Sequence, residues 1–170
     1  IMPGVYDIGG GTVQMKPFVS IEGSGAGATQ ILGTQNTCDE NPALSGDWRP
    51  RYGVVTGSSY TGLRALSVRN NGASAEACAV TAILASDCDG MGISDVGAQA
   101  RGSNINVGIM VRHTVVADLE PVGIYNSDVY VEGGNMSVAI GLRGKTANPS
   151  DEAPLLALLF NATATAQGAS

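Results

Sequence analysis

The sequence predicts an all-β fold of stacked parallel strands, a β-solenoid, and three observations support this prediction. First, a short triplet recurs along the chain. Its copies are Thr81-Ala82-Ile83, Val107-Gly108-Ile109, Val122-Gly123-Ile124 and Val138-Ala139-Ile140. The isoleucines of the last three copies are almost evenly spaced, whereas Ile83 lies further from Ile109. Recurrence at short, regular spacing is typical of repeat architectures.

Second, apolar residues alternate with other residues inside each repeat. Val107, Ile109 and Val111 alternate with Gly108 and Met110, and this period of two indicates a strand with one buried face. Third, the composition suits thin rungs, because 24 residues are glycine while only 5% are aromatic and 14% are charged. Strands stacked about 4.8 Å apart would give each valine or isoleucine a like neighbour above and below. From the isoleucine spacing we expect tight coils of about fifteen or sixteen residues, each with two strands and two corners.

The remaining strands follow from the same alternation. We expect strands over residues 1–8, 12–15, 18–22, 53–57, 62–68, 77–85 and 91–96. Residues 126–128 and 133–135 contain Asn and Gly, which suit corners with positive φ. Residues 23–28 (GSGAGA) match part of a dinucleotide-binding fingerprint, but a strand-like segment follows where that fingerprint needs a helix. We therefore expect a corner of small residues there.

The chain is long enough for a single domain with a sizeable core, and we assign residues 1–170 to it. Residues 34–52 are polar and irregular, and they predict a loop insertion. Residues 154–160 form an apolar run that suits a final rung or an end cap, and residues 161–170 predict a frayed tail. Because Ile1 already has strand character, we expect a processed mature chain or a fragment of something longer.

Two parts of the sequence resemble known β-helix proteins. Residues 3–33 (PGVYDIGGGTVQMKPFVSIEGSGAGATQILG) combine a PGxY turn with a KPxVxIEGxG rung, and they resemble the opening rungs of the pectate lyase and pectin methylesterase superfamily. The later VGIYN-type repeats, which end in Gly-Gly-Asn, resemble bacterial right-handed β-helix repeat proteins. The resemblance implies a right-handed parallel β-helix, and the rung lengths expected from the sequence predict roughly seven rungs. The sequence motifs that flank the active sites of these enzymes are not found.

Three cysteines leave at least one thiol unpaired within the chain. Cys78 and Cys88 flank a predicted strand, and a straight strand would hold them too far apart to bond to each other. We favour a disulfide between Cys38 and either Cys78 or Cys88. Three buried thiols are the alternative.

The acidic residues and the histidine were considered as catalytic or metal-binding groups. Asp87 and Asp89 could share a Ca²⁺ ion at one corner, although a solvated corner is favoured. An enzyme on this fold would be expected to need Asp87, Asp89 or Asp95. His113 is the only histidine and has no nucleophile motif near it, so neither a catalytic triad nor a zinc site is indicated. We assign no catalytic, cofactor-binding or metal-binding residues and expect no cofactor.

The net charge of −6 argues against nucleic acid and anionic membranes as partners, and no uninterrupted apolar stretch is long enough to predict a membrane span. Trp48 could stack on a sugar ring or pack its loop onto the solenoid. Small residues of the triplets predict an outward-facing column that permits close approach by another chain. They are Ala82, Gly108, Gly123 and Ala139.

The two predicted ends of the solenoid look open, because neither end has an amphipathic capping helix. We therefore predict an extracellular or cell-surface structural and interaction protein that self-assembles end to end into filaments. The alternative is a polysaccharide-active enzyme, such as a pectin or uronate lyase or esterase, or a carbohydrate-binding module on the same fold. Whether the chain is an enzyme stays open at this point, with the non-enzymatic function favoured.

Overall fold

A computed structural model describes residues 1–36, 51–72, 78–113, 119–144 and 157–168. These residues form fourteen strands and no helix. The strands are β1 Gly4–Asp7, β2 Val13–Gln14, β3 Ser20–Glu22, β4 Thr29–Gly33, β5 Val55–Thr56, β6 Gly62–Asn71, β7 Ala79–Ser86, β8 Gly92–Arg101, β9 Ile105–Arg112, β10 Val122–Tyr125, β11 Asp128–Glu132, β12 Met136–Arg143, β13 Ala157–Phe160 and β14 Thr163–Gln167.

The strands form two sheets in which every pairing is parallel. The long sheet has nine strands, with the order β1-β4-β6-β8-β10-β13, while β3 pairs with β6 and β11 pairs with both β8 and β14. The short sheet has the order β2-β5-β7-β9-β12. Beyond β5, the chain passes alternately through the long sheet and the short sheet. Each time it comes back to a sheet, the new strand pairs with the previous strand of that same sheet. The predicted all-β parallel β-helix is therefore confirmed.

The predicted coil length is wrong, because the spacing of the last three triplet isoleucines corresponds to half a turn. Ile109 pairs with Ile140 and with Ile83 in the short sheet. Ile124, which lies between Ile109 and Ile140 in sequence, pairs with Ile93 in the long sheet. The last three triplets thus lie in alternate sheets, whereas the first two, at Ile83 and Ile109, are one full turn apart in the short sheet. A full turn runs from one residue to its partner in the next strand of the same sheet, for example from Gly62 to Gly92.

The described residues give six levels in the long sheet and five in the short sheet, compared with roughly seven rungs predicted. The last level contains β13 and β14, which pair with β10 and β11. Residues 163–167, which we had placed in a frayed tail, therefore form a strand. The apolar run at 154–160 contributes β13, and its first three residues lie outside the described ranges. So does most of the predicted loop insertion at 34–52, with Cys38 and Trp48.

A row of left-handed residues bends the long sheet. Ala65, Asp95, Asn126 and Asn161 have φ of 50°, 54°, 46° and 51°. Each of them directly follows a residue that is paired with its counterpart in the neighbouring strand, so the four bends stack on one another. The four paired residues are Arg64, Ser94, Tyr125 and Phe160. The Asn161 side-chain amide donates a 2.9 Å hydrogen bond to Oδ1 of Asn126. We call this row the asparagine ladder. It divides the outer surface of the long sheet into two faces.

The main core fills the space between the sheets with aliphatic side chains such as Leu63, Ile83, Ile93 and Ile124. The predicted outward column of small residues is wrong for a steric reason. A Cβ on Gly108 would overlap Val129 of the opposite sheet, so Gly108 faces inward where the sheets approach closely. Ala82 is buried too, whereas Gly123 lies in the other sheet.

Candidate functional site

Strand register brings distant residues into rows on the outer surface of the long sheet. Arg64 pairs with Ser94, Ser94 with Tyr125, and Glu22 with Arg64. These residues alternate with core residues along their strands, so their side chains project away from the core. One row therefore crosses four rungs with polar and aromatic side chains that are far apart in sequence.

A row of glycines beside it forms the floor of a first groove. Gly62, Gly92 and Gly123 are paired across β6, β8 and β10. A Cβ at Gly92 would have no atom within 4 Å, so the space above it is open. At Gly123 the same space is filled by the ring of Tyr125. The groove encloses about 380 Å³ and is lined by Glu22, Arg64, Ser94 and Tyr125 as well as glycines.

A second groove lies on the other side of the asparagine ladder. It encloses about 280 Å³ and is lined by Ser67, Arg69, Gly97, Ala98, Gln99, Asp128 and Tyr130. Arg69 pairs with Gln99 in the strand register, and Gln99 pairs with Tyr130. Each groove thus contains an arginine, a tyrosine and a carboxylate. We call the two grooves together the grooved face.

The two arginines of the grooved face have no partner among the described residues. Arg64 and Arg69 are exposed, and neither takes part in an ion pair or a side-chain hydrogen bond. Arg101, at the margin of the same sheet, forms a 3.3 Å ion pair with Glu132 and a hydrogen bond to Asn71. The guanidinium groups of Arg64 and Arg69 are therefore available to a ligand, whereas that of Arg101 is engaged.

Tyr130 is held by its neighbours. Its hydroxyl lies 3.0 Å from Oε2 of Glu132 and 3.2 Å from Oε1 of Gln167. The hydrogen bond to the Glu132 carboxylate raises the pKa of Tyr130, because it favours the protonated phenol. The ring is thereby fixed at the edge of the second groove.

The acids singled out in the sequence do not form one cluster. Asp87 and Asp89 lie at the corner after β7, whereas Asp95 belongs to the asparagine ladder on the long sheet. Oδ2 of Asp89 accepts a 2.6 Å hydrogen bond from the hydroxyl of Tyr60, and its Oδ1 accepts one from the backbone N–H of Glu120. These hydrogen bonds lower the pKa of Asp89. Among the described residues, no group of three or more His, Cys, Asp or Glu side chains could hold a metal ion.

His113 is buried just after β9, and neither ring nitrogen has a hydrogen-bond partner. No nucleophile is paired with it in the described ranges. The same ranges contain no helix long and apolar enough to cross a membrane.

Cys78 takes part in a disulfide, and Cys88 is a buried free thiol. Burial raises the pKa of Cys88 to about 11, so the thiol is protonated and unreactive at neutral pH. Cys38 lies outside the described residues. Its pairing with Cys78 therefore stays a prediction, which peptide mapping without reduction would test.

Sequence reasoning missed the residues of the grooved face. Arg64, Arg69, Tyr125 and Tyr130 carry no motif, and they meet only through strand register. The usable signal was positional, because Arg64, Tyr125 and Tyr130 lie on outward positions of predicted strands, whereas Arg69 comes directly after the strand predicted over residues 62–68. Aligning these residues across the strands would have required the correct number of residues per turn of the solenoid.

The sequence matches no protein-family profile and no curated protein. Among solved structures it is similar to a pectin methylesterase in complex with a hexasaccharide, with 12% identity and a TM-score of 0.38. The match covers 99% of this chain and 58% of that chain. This chain thus spans little more than half the length of that enzyme. A likeness this distant says nothing about activity, and membership of the pectin methylesterase superfamily stays a prediction.

Proposed function

We propose that the chain is a binding module that holds an extended, uronate-containing polysaccharide along the grooved face. The observation that carries the proposal is the pair of arginines, Arg64 and Arg69, which have no partner among the described residues and which each line a shallow groove that also contains a tyrosine. The proposed activity is binding without cleavage.

The shape of the face supports an elongated ligand. The first groove crosses four levels of the long sheet, and strand spacing of about 4.8 Å gives it a length of about 14 Å. Its floor is open at Gly92, where an added Cβ would meet no atom within 4 Å, whereas the Ser20 side chain lies over Gly62. Tyr125 and Tyr130 offer apolar ring faces with polar tips, which suit the alternating surfaces of a sugar chain.

The charges of the face support a uronate. Arginine pairs with a carboxylate through two parallel hydrogen bonds, and Arg64 and Arg69 form no ion pair with another described residue. Glu22 and Asp128 lie in the same grooves and would accept hydrogen bonds from sugar hydroxyls. They would also repel a misplaced carboxylate, which would fix the register of the bound chain.

Calorimetric titration with hexagalacturonate tests the proposal. We expect Arg64→Ala and Arg69→Ala each to weaken binding by about tenfold, the effect of losing one charge-assisted hydrogen bond. Gly92→Leu should weaken it as much, because the new side chain would fill the open groove without backbone strain. Arg101→Ala is the matched control, since it removes the same charge from an arginine that is already engaged.

Two results would reject this function. One is the absence of binding to galacturonate, alginate and xylan oligomers alike. The other is equal loss of binding in the Arg64, Arg69 and Arg101 variants, which would indicate a net-charge effect only. Release of reducing ends or methanol from pectin would replace binding with an enzymatic function.

A second candidate function is head-to-tail self-association into filaments. Apolar side chains are exposed on both outermost levels of the described sheet. On β1 Val5 is 62% exposed, and on β13 Phe160 is 70% exposed beside Leu158 and Leu159. Strands at a sheet edge also have backbone groups ready to pair with another strand. A second copy joined edge to edge would cover both features.

Light-scattering mass at increasing concentration tests self-association. We expect Val5→Lys and Phe160→Lys each to prevent the formation of filaments, because each substitution puts a charge on one of the two surfaces that would associate. Since a head-to-tail contact uses two different surfaces, a mixture of the two variants should form dimers and nothing larger. Tyr52→Lys is the control, because Tyr52 is an exposed aromatic residue that belongs to neither strand. A mass equal to one chain at all concentrations would reject this candidate.

The proposed location is extracellular or at the cell surface. The disulfide at Cys78 supports it, because disulfides form and persist in oxidising compartments.

A further inference from the structure

Two exposed aromatic rings stack at the corner where the chain passes from the short sheet to the long sheet. The rings of Phe18 and Tyr60 lie 5.3 Å apart between centroids, with an angle of 7° between their planes. Phe18 is 78% exposed and Tyr60 is 46% exposed. The stack lies outside the grooved face, and its outer surface is the free side of the Phe18 ring.

The backbone holds both rings in a conformation that aromatic residues rarely adopt. Phe18 has φ of 63° and Tyr60 has φ of 54°, and Gly90 occupies the corresponding place in the next turn with φ of 61°. Val19 donates a backbone hydrogen bond to Lys16, and Pro17 precedes Phe18, which fits a type II turn. That turn normally takes glycine where Phe18 lies. Strain at an exposed bulky side chain is more often found at binding sites than elsewhere.

Carboxylates lie along one edge of the stack. The Tyr60 hydroxyl donates to Asp89, and Asp89 accepts the backbone N–H of Glu120. Glu120 is close enough that a Cβ on Gly90 would lie 2.9 Å from its Oε2. The hydrogen bond to Asp89 raises the pKa of Tyr60, and the negative charges of Asp89 and Glu120 raise it further.

We propose that the Phe18–Tyr60 stack, with Asp89 and Glu120, is a docking point for an arginine side chain of a basic partner protein. A guanidinium group stacks on an aromatic face and pairs with a carboxylate at the edge of that face. The acidic character of the whole chain, with a net charge of −6, would draw a basic partner toward the site.

The local charges favour a cation over a neutral sugar. Asp89 and Glu120 contribute two negative charges, and Lys16 is the exposed basic residue in the turn that carries Phe18. Lys16 should repel a cationic ligand, so Lys16→Ala is expected to strengthen binding. A purely structural aromatic pair would not respond in this way.

The experiment uses the fact that the chain has only two phenylalanines. Selective ring labelling gives one NMR probe at Phe18 and an internal control at Phe160, on the last level of the long sheet. The ligand is the peptide acetyl-Gly-Arg-Gly-Arg-Gly-amide. Its twin has citrulline in place of both arginines and is neutral with nearly the same shape.

We expect the arginine peptide to shift the Phe18 signals and to leave those of Phe160 unchanged. Phe18→Ala, Asp89→Asn and Glu120→Gln should each weaken binding by roughly threefold to fivefold, as expected for cation–π and exposed charge contacts. Phe18→Gly provides a control for folding. This variant relieves the left-handed strain, so it should raise the unfolding temperature while weakening binding to the same extent as Phe18→Ala.

The inference would be overturned if the Phe18 signals did not move, if the citrulline peptide moved them equally, or if Phe160 responded to the same extent. Unchanged or weaker binding in Lys16→Ala would also contradict it. A shift of Phe18 by cellohexaose but not by the arginine peptide would replace the basic protein with a neutral glycan. Binding of hexagalacturonate to the grooved face is independent of all these outcomes.

Discussion

Ala65 has a left-handed backbone with φ of 50° and no side-chain group that compensates for it. The conformation costs an L-residue with a Cβ roughly 1–2 kcal/mol relative to its ordinary regions. Asn126 and Asn161, at the same place in later rungs, tolerate this region better, and their side chains bond to each other. Ala65 is therefore a site where the native sequence is not the most stable one.

Ala65→Gly is expected to stabilise the protein by about 1 kcal/mol, because glycine adopts positive φ without a steric penalty. Urea unfolding measures the change. Ala98→Gly is the matched control, since Ala98 is a buried alanine of the same sheet with ordinary φ, and it should destabilise the protein. Loss of stability in both variants would show that Ala65 is not strained.

Asp89 should make stability depend on pH in the acid range. Its pKa is lowered in the folded state by the Tyr60 and Glu120 hydrogen bonds. The stabilisation is therefore present above the ordinary carboxyl pKa of about 3.9 and is lost as the pH falls through the lower folded value. Wild type should lose more stability below about pH 4 than Asp89→Asn does. Parallel acid titrations of urea unfolding would detect this, and identical pH profiles would contradict it.

The asparagine ladder is the element that bends four of the six levels of the long sheet. It separates β10 from β11 and β13 from β14, and it separates the two grooves. Residues there need a left-handed backbone, and the later rungs also need a side chain that bonds along the solenoid axis. Asn meets both requirements because its short amide hydrogen-bonds locally and tolerates positive φ.

Asn126→Ala is expected to cost about 1–2 kcal/mol, because it adds backbone strain and removes the acceptor for Asn161. Asn126→Gly should remove the backbone strain without restoring the hydrogen bond. Its free energy of unfolding should therefore lie between those of Asn126→Ala and wild type. Thermal unfolding of the three proteins gives the order. A glycine variant as unstable as the alanine variant would show that the hydrogen bond alone carries the effect.

Some of this architecture was predictable from sequence and some was not. Period-two alternation around Ile109 and Ile140 predicts strands, and the positive φ of Asn126, Gly133 and Gly134 agrees with their expected corners. The coil length was missed because nothing in the triplet tells which sheet it joins. The grooved face was missed for the same reason. That Arg64 and Tyr125 line one groove can be recognised only when the number of residues in a full turn is known.

At the scale of the whole molecule, each level contacts mainly the level before and after it. Stability in such a chain is approximately a sum over levels and their interfaces. The middle strands β6, β7, β8 and β9 have partners on both sides, whereas β1 and β13 are outermost among the described strands. Opening should therefore begin at the outer levels.

Hydrogen exchange is expected to show this as a gradient. Backbone amides of β6 to β9 should exchange slowest, and those of β1, β13 and β14 should exchange fastest, because outer levels open without breaking the centre. Exchange followed by mass spectrometry measures it peptide by peptide. Equal protection at every level would indicate one cooperative unit and would contradict the additive description.

The half-turn spacing of the triplets has a consequence for how such a chain can lengthen over evolution. Duplication of a single triplet-to-triplet segment, such as that from Ile109 to Ile124, would transfer every later strand to the opposite sheet. Residues whose side chains suit one sheet would then occupy positions in the other sheet, with different backbone bends and different neighbouring strands. Duplication of a full turn, the separation of Gly62 and Gly92, adds one complete level and leaves all later pairings in phase. Insertions and deletions that survive in relatives of this chain should therefore occur in whole turns, or else within the corners.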